Sequence, residues 1–207
     1  EATYKKIRKA GGLCISDEVQ TGIGRMGKTF WGFQLHNVIP DIVTIGKPLG
    51  NGHPVAAVAC TKEVAEKFAN GMEFFNTFGG NPVSCAIATQ VLQEVKREKL
   101  QENALKIGNF LKTELTKLAK EHLIIGDVRG QGLFLGFELV DAKLNPLPDK
   151  TAYLIDRMKF FGILMSVDGP DHNVIKIKPP ITFTQQQAEE VIFYLKLVFK
   201  ENFMTLV

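Results

Sequence analysis

The β-branched apolar run Ile42-Val43-Thr44-Ile45 stops abruptly at a glycine-spaced turn, Gly46-Lys47-Pro48-Leu49-Gly50-Asn51-Gly52. A short apolar run bounded by turn residues reads as a buried strand, which puts Lys47 at a strand's carboxyl end. Open α/β sheets bind their ligands at that edge. Upstream, a second apolar run, Leu13-Cys14-Ile15, ends in Ser16-Asp17-Glu18, which brings the carboxylate of Asp17 to what reads as the same edge. Lys47, set between Gly46 and Pro48 against the sheet, is expected to be tucked in and desolvated. Asp17 is expected at a buried strand end with no helix after it to cap.

The remaining pattern is that of an α/β region followed by a smaller α+β region. Thr3 to Lys9 reads as the end of a helix with Ala10-Gly11-Gly12 as its exit, and Leu13 to Ser16 as the first strand. Val55 to Cys60 follows Ile42 to Ile45 after so short a link that an antiparallel return is expected, since a parallel crossover needs about a dozen residues. Lys62 to Ala69 is helical, and Gly71 to Gly80 a polar and aromatic loop. Asn81 caps a helix with Pro82 at its first position. Asn103 to Glu121 is a long amphipathic helix. Strands are expected within Asp127 to Leu139, at Ile163 to Val167 and at Val174 to Ile177, with helices from Lys150 to Phe160 and from Thr184 onward. The domain boundaries expected are 1–100 for the end of a large domain, 101–121 for an interdomain helix and 122–207 for a small C-terminal domain. The abrupt start leads us to expect further chain upstream.

Composition narrows the function classes. The chain of 207 residues is 45% hydrophobic with a net charge of +3. That charge comes from dispersed Lys and Glu rather than a basic stripe, so no nucleic-acid partner is expected. No apolar stretch approaches the roughly 18 residues of a membrane span, and the first residues lack a signal peptide's apolar region. A cytoplasmic protein without a membrane partner is the expectation. Three cysteines, Cys14, Cys60 and Cys85, lie among small or apolar neighbours without metal-ligand spacing, so buried free thiols and no metal site are expected.

Two phosphate-loop look-alikes fail on context. Gly22-Ile23-Gly24-Arg25-Met26-Gly27 matches G-x-G-x-x-G, but the aromatic, glycine-broken Lys28-Thr29-Phe30-Trp31-Gly32-Phe33 follows instead of a helix. Around Gly46-Lys47, Pro48 stands where a magnesium-ligating hydroxyl belongs and Asp41 where the first glycine belongs. The lysine and acid fit another chemistry. An amine that forms a Schiff base, with an acid that keeps a pyridinium nitrogen protonated, is what pyridoxal 5'-phosphate asks of a protein.

Three stretches in order, Ser16-Asp17-Glu18-Val19-Gln20-Thr21-Gly22-Ile23-Gly24-Arg25-Met26-Gly27, Pro40-Asp41-Ile42-Val43-Thr44-Ile45-Gly46-Lys47 and Asn76-Thr77-Phe78-Gly79-Gly80-Asn81-Pro82, closely resemble the class III aminotransferases of the fold-type I pyridoxal phosphate enzymes. The resemblance runs on through Arg129-Gly130-Gln131-Gly132-Leu133 to Lys178-Pro179-Pro180. It implies an α/β protein of which this chain is the C-terminal half. It further implies that Asp17 pairs with the cofactor's ring nitrogen, Val19 presses on a ring face, Gln20 reaches the phenolic oxygen and Lys47 forms the Schiff base. Thr77 would donate to the cofactor phosphate of a neighbouring subunit, making an obligate homodimer with shared active sites.

One position departs from that pattern. Lys176 stands where these aminotransferases usually carry an arginine that grips the substrate's carboxylate, and lysine cannot make the two-pronged bond. Ser166-Val167-Asp168-Gly169-Pro170 followed by Asn173-Val174-Ile175-Lys176-Ile177-Lys178-Pro179-Pro180 looks most like the phospholyase branch, which eliminates phosphate and ammonia from phosphorylated amino alcohols such as ethanolamine phosphate. Lys176 read as a plain surface residue on an amphipathic strand remains open beside this. The expectation is an amine or amino-acid aminotransferase. A phospholyase is the runner-up, and a truncated, non-catalytic piece is the third reading.

Overall fold

The computed structural model describes residues 1–205, which form two compact units, one of Glu1–Gln101 and one that begins at Glu102. In the first unit, helix α1 (Ala2–Lys9) leads into a three-stranded sheet of β1 (Ile15–Asp17), β2 (Ile42–Ile45) and β3 (Ala57–Cys60). Strands β1 and β2 pair in parallel, with Asp17 beside Thr44, and β3 returns antiparallel to β2. The antiparallel return expected from the short link is observed. Helices α2 (Lys62–Phe68) and α3 (Pro82–Arg97) complete the unit, α3 starting as its sequence requires: Asn81 Oδ1 accepts from Ser84 N at 2.9 Å and Pro82 takes the first position.

Ile23, Leu49 and Val95 form this unit's buried cluster, with Phe30, Trp31, Ile45, Val55, Ala88 and Leu100 packed around it. The sheet itself is less covered than the apolar runs led us to expect. Every residue of β2 is only half-buried, β3 is exposed throughout, and Ile15 and Val58 stand open. The cysteine expectation is corrected in the same way: Cys14 is buried, but Cys60 and Cys85 are exposed, and all three are free thiols.

A long helix, α4 (Leu100–Glu121), runs across the boundary between the units. In the second unit Ala104, Ile107, Leu111, Leu115 and Leu118 of this helix are buried at the 3.6-residue period. They join an antiparallel sheet of order β4-β5-β7-β6, made from β4 (Ile125–Gln131), β5 (Phe134–Leu139), β6 (Ser166–Asp168) and β7 (Val174–Ile177). Helices α5 (Pro148–Phe160) and α6 (Gln185–Val198) supply Leu154, Met158, Ala188, Val191, Ile192 and Leu195 to the same core. Thr184 and Gln187 close a reciprocal cap at the start of α6. Strand β6 begins later than the expected Ile163, because the Ile163 amide donates to Met158 O at 2.9 Å and so finishes α5 rather than joining a ladder.

Asp41 locks the two parallel strands at their entry. Its carboxylate accepts from the Cys14 amide at 2.7 Å and is gripped by Arg8 of α1 through Nη2 at 2.9 Å and Nε at 3.3 Å. The Cys14 amide first, and then the Arg8 guanidinium, hold the Asp41 carboxyl below the usual carboxylate range. A depressed pKa contributes stability that is full above the unfolded value and vanishes as pH falls through the folded one. Urea midpoints of the wild type are therefore expected to drop as pH falls below about 4, and Asp41→Asn to flatten that dependence while lowering stability at neutral pH.

Candidate active site

The parallel pairing of β1 and β2 carries Asp17 and the turn opened by Lys47 to the carboxyl end of the same sheet. Asp17 closes β1. Its Oδ1 accepts from Val19 N at 3.0 Å and lies 3.4 Å from Thr44 Oγ1 on β2. Beyond β2, Lys47–Leu49 form a single 3₁₀ turn in which Leu49 N donates to Gly46 O at 2.9 Å. Buried Leu49 pins that turn to the core. The Val19 side chain lies over Gly46: a Cβ built on that glycine would stand 3.5 Å from both Val19 methyls. Asp17, Val19 and Lys47 are thus drawn to one place by the register of two strands.

Lys47 departs from expectation in its exposure. Its residue is exposed, so the burial foreseen from its position between Gly46 and Pro48 is not supplied by this chain. Asp17, likewise expected at a buried strand end, is also exposed. The backbone at Lys47 carries a φ of +25°, a region that side chains other than glycine rarely occupy. Such strain costs on the order of 1 kcal/mol and clusters at functional sites.

The buried carboxylate is the neighbour, Glu18, which sequence reasoning missed. It is 1% exposed and accepts four hydrogen bonds: from Ser16 Oγ at 3.0 Å, Thr21 Oγ1 at 2.8 Å, Gly32 N at 2.7 Å and Phe33 N at 2.8 Å. Adjacent strand residues face opposite sides, so one acid of the Asp17-Glu18 pair had to turn inward. Four donors satisfy both of its oxygens. Glu18 ties the turn after β1 to the start of the 3₁₀ helix Gly32–His36, holding the segment that contains Val19 and Gln20. The glycine-rich stretch between them is a string of turns in which Ile23, Gly24 and Gly27 take positive φ. No helix opens there, as its aromatic continuation foretold.

Of the other candidates, Gln20 follows Val19 in the same turn, whereas Thr77 and Lys176 belong to other segments of the chain. Gln20 is exposed in the turn after β1. Thr77 is exposed in the segment before α3, where Asn76 Oδ1 accepts from the amides of Phe78 at 3.2 Å and Gly79 at 3.0 Å. No hydrogen bond among the described residues joins Thr77 to Asp17 or Lys47. Lys176 belongs to the second unit. It is half-buried on β7 between core residues Ile175 and Ile177, and its Nζ pairs with Asp168 Oδ2 at 2.9 Å. Lys176 Nζ, and after it the Gly169 amide, hold the Asp168 carboxyl below its ordinary range. A cavity of about 560 Å³ in that unit is lined by Lys176, Lys178, Ser166, Gln187 and Phe183 among others. Among the described residues no group of three or more His, Cys, Asp or Glu is placed to hold a metal, and no helix is long and apolar enough to cross a membrane.

An amine and a carboxylate at the ends of adjacent parallel strands, with a branched apolar side chain beside them, suit a flat ring that carries an aldehyde and a basic nitrogen. The family model for aminotransferase class III matches residues 4–199. The chain belongs to the class III aminotransferase family. It is 51% identical over 196 residues to an alanine–glyoxylate aminotransferase 2-like protein of Drosophila melanogaster, covering 93% of this chain and 40% of that one. To an ethanolamine-phosphate phospho-lyase homolog 1 of Caenorhabditis elegans it is 45% identical over 197 residues, or 93% of this chain and 42% of the relative. Among solved structures it resembles a phospholyase from Arthrobacter in complex with phosphoethanolamine, with a TM-score of 0.91 and 43% identity over 94% of this chain and 46% of the other. The fold is thereby that of the fold-type I enzymes, and the chain spans less than half the length of these relatives.

Glu18→Gln keeps the shape but leaves one oxygen where four donors converge, and turns an amide toward them. It is expected to lower unfolding stability by about 2–4 kcal/mol, read from denaturant midpoints at pH 7. A loss under half a kilocalorie would show that the carboxylate does not clamp the turn.

Proposed function

We propose that this chain is the cofactor-bearing, C-terminal part of a pyridoxal-phosphate-dependent class III aminotransferase that moves an amino group from an amine or amino acid to a keto acid. The observation that carries it is the register of β1 on β2, which sets Asp17 and Lys47 at one sheet edge. When bound, the cofactor supplies an electron-withdrawing ring that makes a proton on the substrate's amine-bearing carbon removable. Lys47 would hold the cofactor through its amine and, as a free amine, would serve as the base that takes that proton and the acid that returns one. Asp17 would keep the ring nitrogen protonated, Val19 would bear on a ring face, and Gln20 would reach the phenolic oxygen.

Thr77 is assigned to the phosphate of a cofactor in a second subunit. Its segment supports an interface: Met72, Phe74, Phe75 and Phe78 are 82%, 72%, 78% and 81% exposed, a run of large apolar groups that water does not favour. A homodimer with shared sites is the assembly this suggests. The protein is proposed to work in a reducing compartment, the cytoplasm first, in keeping with its free thiols.

A second reading, phosphate and ammonia elimination from a phosphorylated amino alcohol, is favoured by Lys176. A lysine is a compact point charge that meets a phosphate well and a carboxylate without the arginine's fork. Its ammonium gives one contact to Asp168 and has further N–H donors that an anion could meet. The open setting of Lys47 and Asp17 supports the third reading in a restricted form: the isolated chain does not enclose a cofactor and depends on the rest of the protein to do so.

Borohydride treatment of the full-length protein with pyridoxal phosphate is expected to fix the cofactor on Lys47, found by peptide mass. Lys47→Ala is expected to cut turnover at least a thousandfold while cofactor still binds noncovalently. Asp17→Asn is expected to slow turnover at least a hundredfold with little change in fold. Label on another lysine, or full activity in either variant, would end the reading.

The two chemistries separate in one assay. Full-length protein given alanine and a keto acid is expected to yield a new amino acid. With ethanolamine phosphate alone, release of inorganic phosphate would establish elimination instead. If phosphate is released, Lys176→Ala should raise the substrate's KM about tenfold or more, whereas an unchanged KM would return Lys176 to a surface role.

A further inference from the structure

The turn opened by Lys47 ends at His53, a residue to which the proposed chemistry gives no part. The chain folds back tightly here: His53 N donates to Gly50 O at 3.0 Å. A Cβ on Gly50 would stand 2.0 Å from His53 O, so only glycine permits the bend. The imidazole is half-buried and its Nε2 lies 2.8 Å from Ser84 Oγ. Ser84 is itself buried, at the third position of α3. Its amide donates to Asn81 Oδ1, and its hydroxyl accepts from Asn81 Nδ2 at 3.0 Å. The same Asn81 Nδ2 donates to Phe78 O at 2.7 Å, one residue beyond Thr77.

A continuous chain of polar contacts therefore runs from the turn of Lys47, through His53, Ser84 and Asn81, to the segment of Thr77. Among the described residues the His53–Ser84 bond is the one hydrogen bond between residues 46–54 and residues 76–84. Apolar packing also joins the Lys47 turn to α3 further along, since Leu49 and Val95 share a buried cluster. Packing resists separation but fixes direction poorly, whereas a bond to a buried hydroxyl fixes both.

We propose that His53 is a positioning residue that sets the strained Lys47 turn in register with the Thr77 segment, holding the amine anchor and the phosphate-side loop in fixed relation. This rests on the reading that Lys47 anchors the cofactor. The bond requires the imidazole to present one ring nitrogen to Ser84, either as acceptor of its hydroxyl or as donor to its oxygen. A glutamine amide placed there does the same, and a leucine does neither.

The test uses the full-length protein, with His53→Leu, His53→Gln, Ser84→Ala and the double variant His53→Leu/Ser84→Ala. Cofactor dissociation constants come from equilibrium dialysis, and exchange of the His53 and Leu49 amides is followed in cofactor-free protein. His53→Leu and Ser84→Ala are each expected to weaken cofactor binding about three- to tenfold and to speed exchange of both amides. The double variant should be no worse than the poorer single one, and His53→Gln should stay within about twofold of wild type. Wild-type binding in His53→Leu, additive losses in the double variant, or faster exchange without weaker binding would each overturn the role. If borohydride labels no cofactor on Lys47 in the wild type, the anchor reading has failed and the positioning role falls with it. If the label is present and the histidine variants bind normally, only the positioning role fails.

Discussion

Parallel pairing of two short strands is the constraint on which the candidate site depends. Antiparallel strands would send Asp17 and Lys47 to opposite ends of the sheet. In parallel they exit together, and the register that sets Asp17 beside Thr44 leaves Lys47 just past the same edge. Parallel pairing cannot be made locally, since it needs a crossover, and here residues 18–41 provide one without an α-helix. Their order comes instead from side chains that reach back: Asp41 onto the Cys14 amide at one end, Glu18 onto Gly32 and Phe33 at the other.

The neighbouring acids Asp17 and Glu18 show how one strand serves structure and chemistry at once. Alternation of faces gives one carboxylate to the interior and one to the edge. The interior one is affordable only because four donors meet it. The outer one engages Val19 N and approaches Thr44 Oγ1 through the same oxygen, which directs the carboxylate without burying it. Glu18 makes the turn rigid, and Asp17 is then fixed by a backbone that cannot wander. The strain at Lys47 has the same logic, because Leu49 in the core and the Gly46–Leu49 bond oppose relaxation of the turn.

Much of this was legible in the sequence, and the failures share a cause. The strand ending before Lys47, the antiparallel return of β3, the Asn81 cap and the amphipathic faces of α4 and α6 follow from local pattern, and each is observed. Burial did not follow. Lys47 and Asp17 read as enclosed from their places at strand ends, and Cys60 and Cys85 from small or apolar neighbours, yet all four are exposed. Glu18 was missed for the converse reason: an acid beside a more conspicuous acid gives no periodic signal, and its four donors come from β1, the turn after it and the 3₁₀ helix Gly32–His36. His53 was hidden likewise, since its partner Ser84 lies 31 positions away. Contacts between distant side chains are set by the fold and have no local trace.

Lys176 separates what family membership decides from what it leaves open. Strand β7 alternates Ile175 and Ile177 into the core with Val174 and Lys176 away from it, so the lysine's place is fixed by packing and its chemistry is free to vary. The ammonium spends its charge on Asp168, a partner 61% exposed. An ion pair that open is worth little, so the pairing holds Lys176 in place at small cost and yields readily to a stronger anion. A dianionic phosphate is such an anion. A single carboxylate competes with Asp168 on nearly equal terms, because lysine has no second prong to prefer a bound substrate over a side chain already in place. In the proposed role, charge more than shape would therefore be the property by which Lys176 tells one substrate from another.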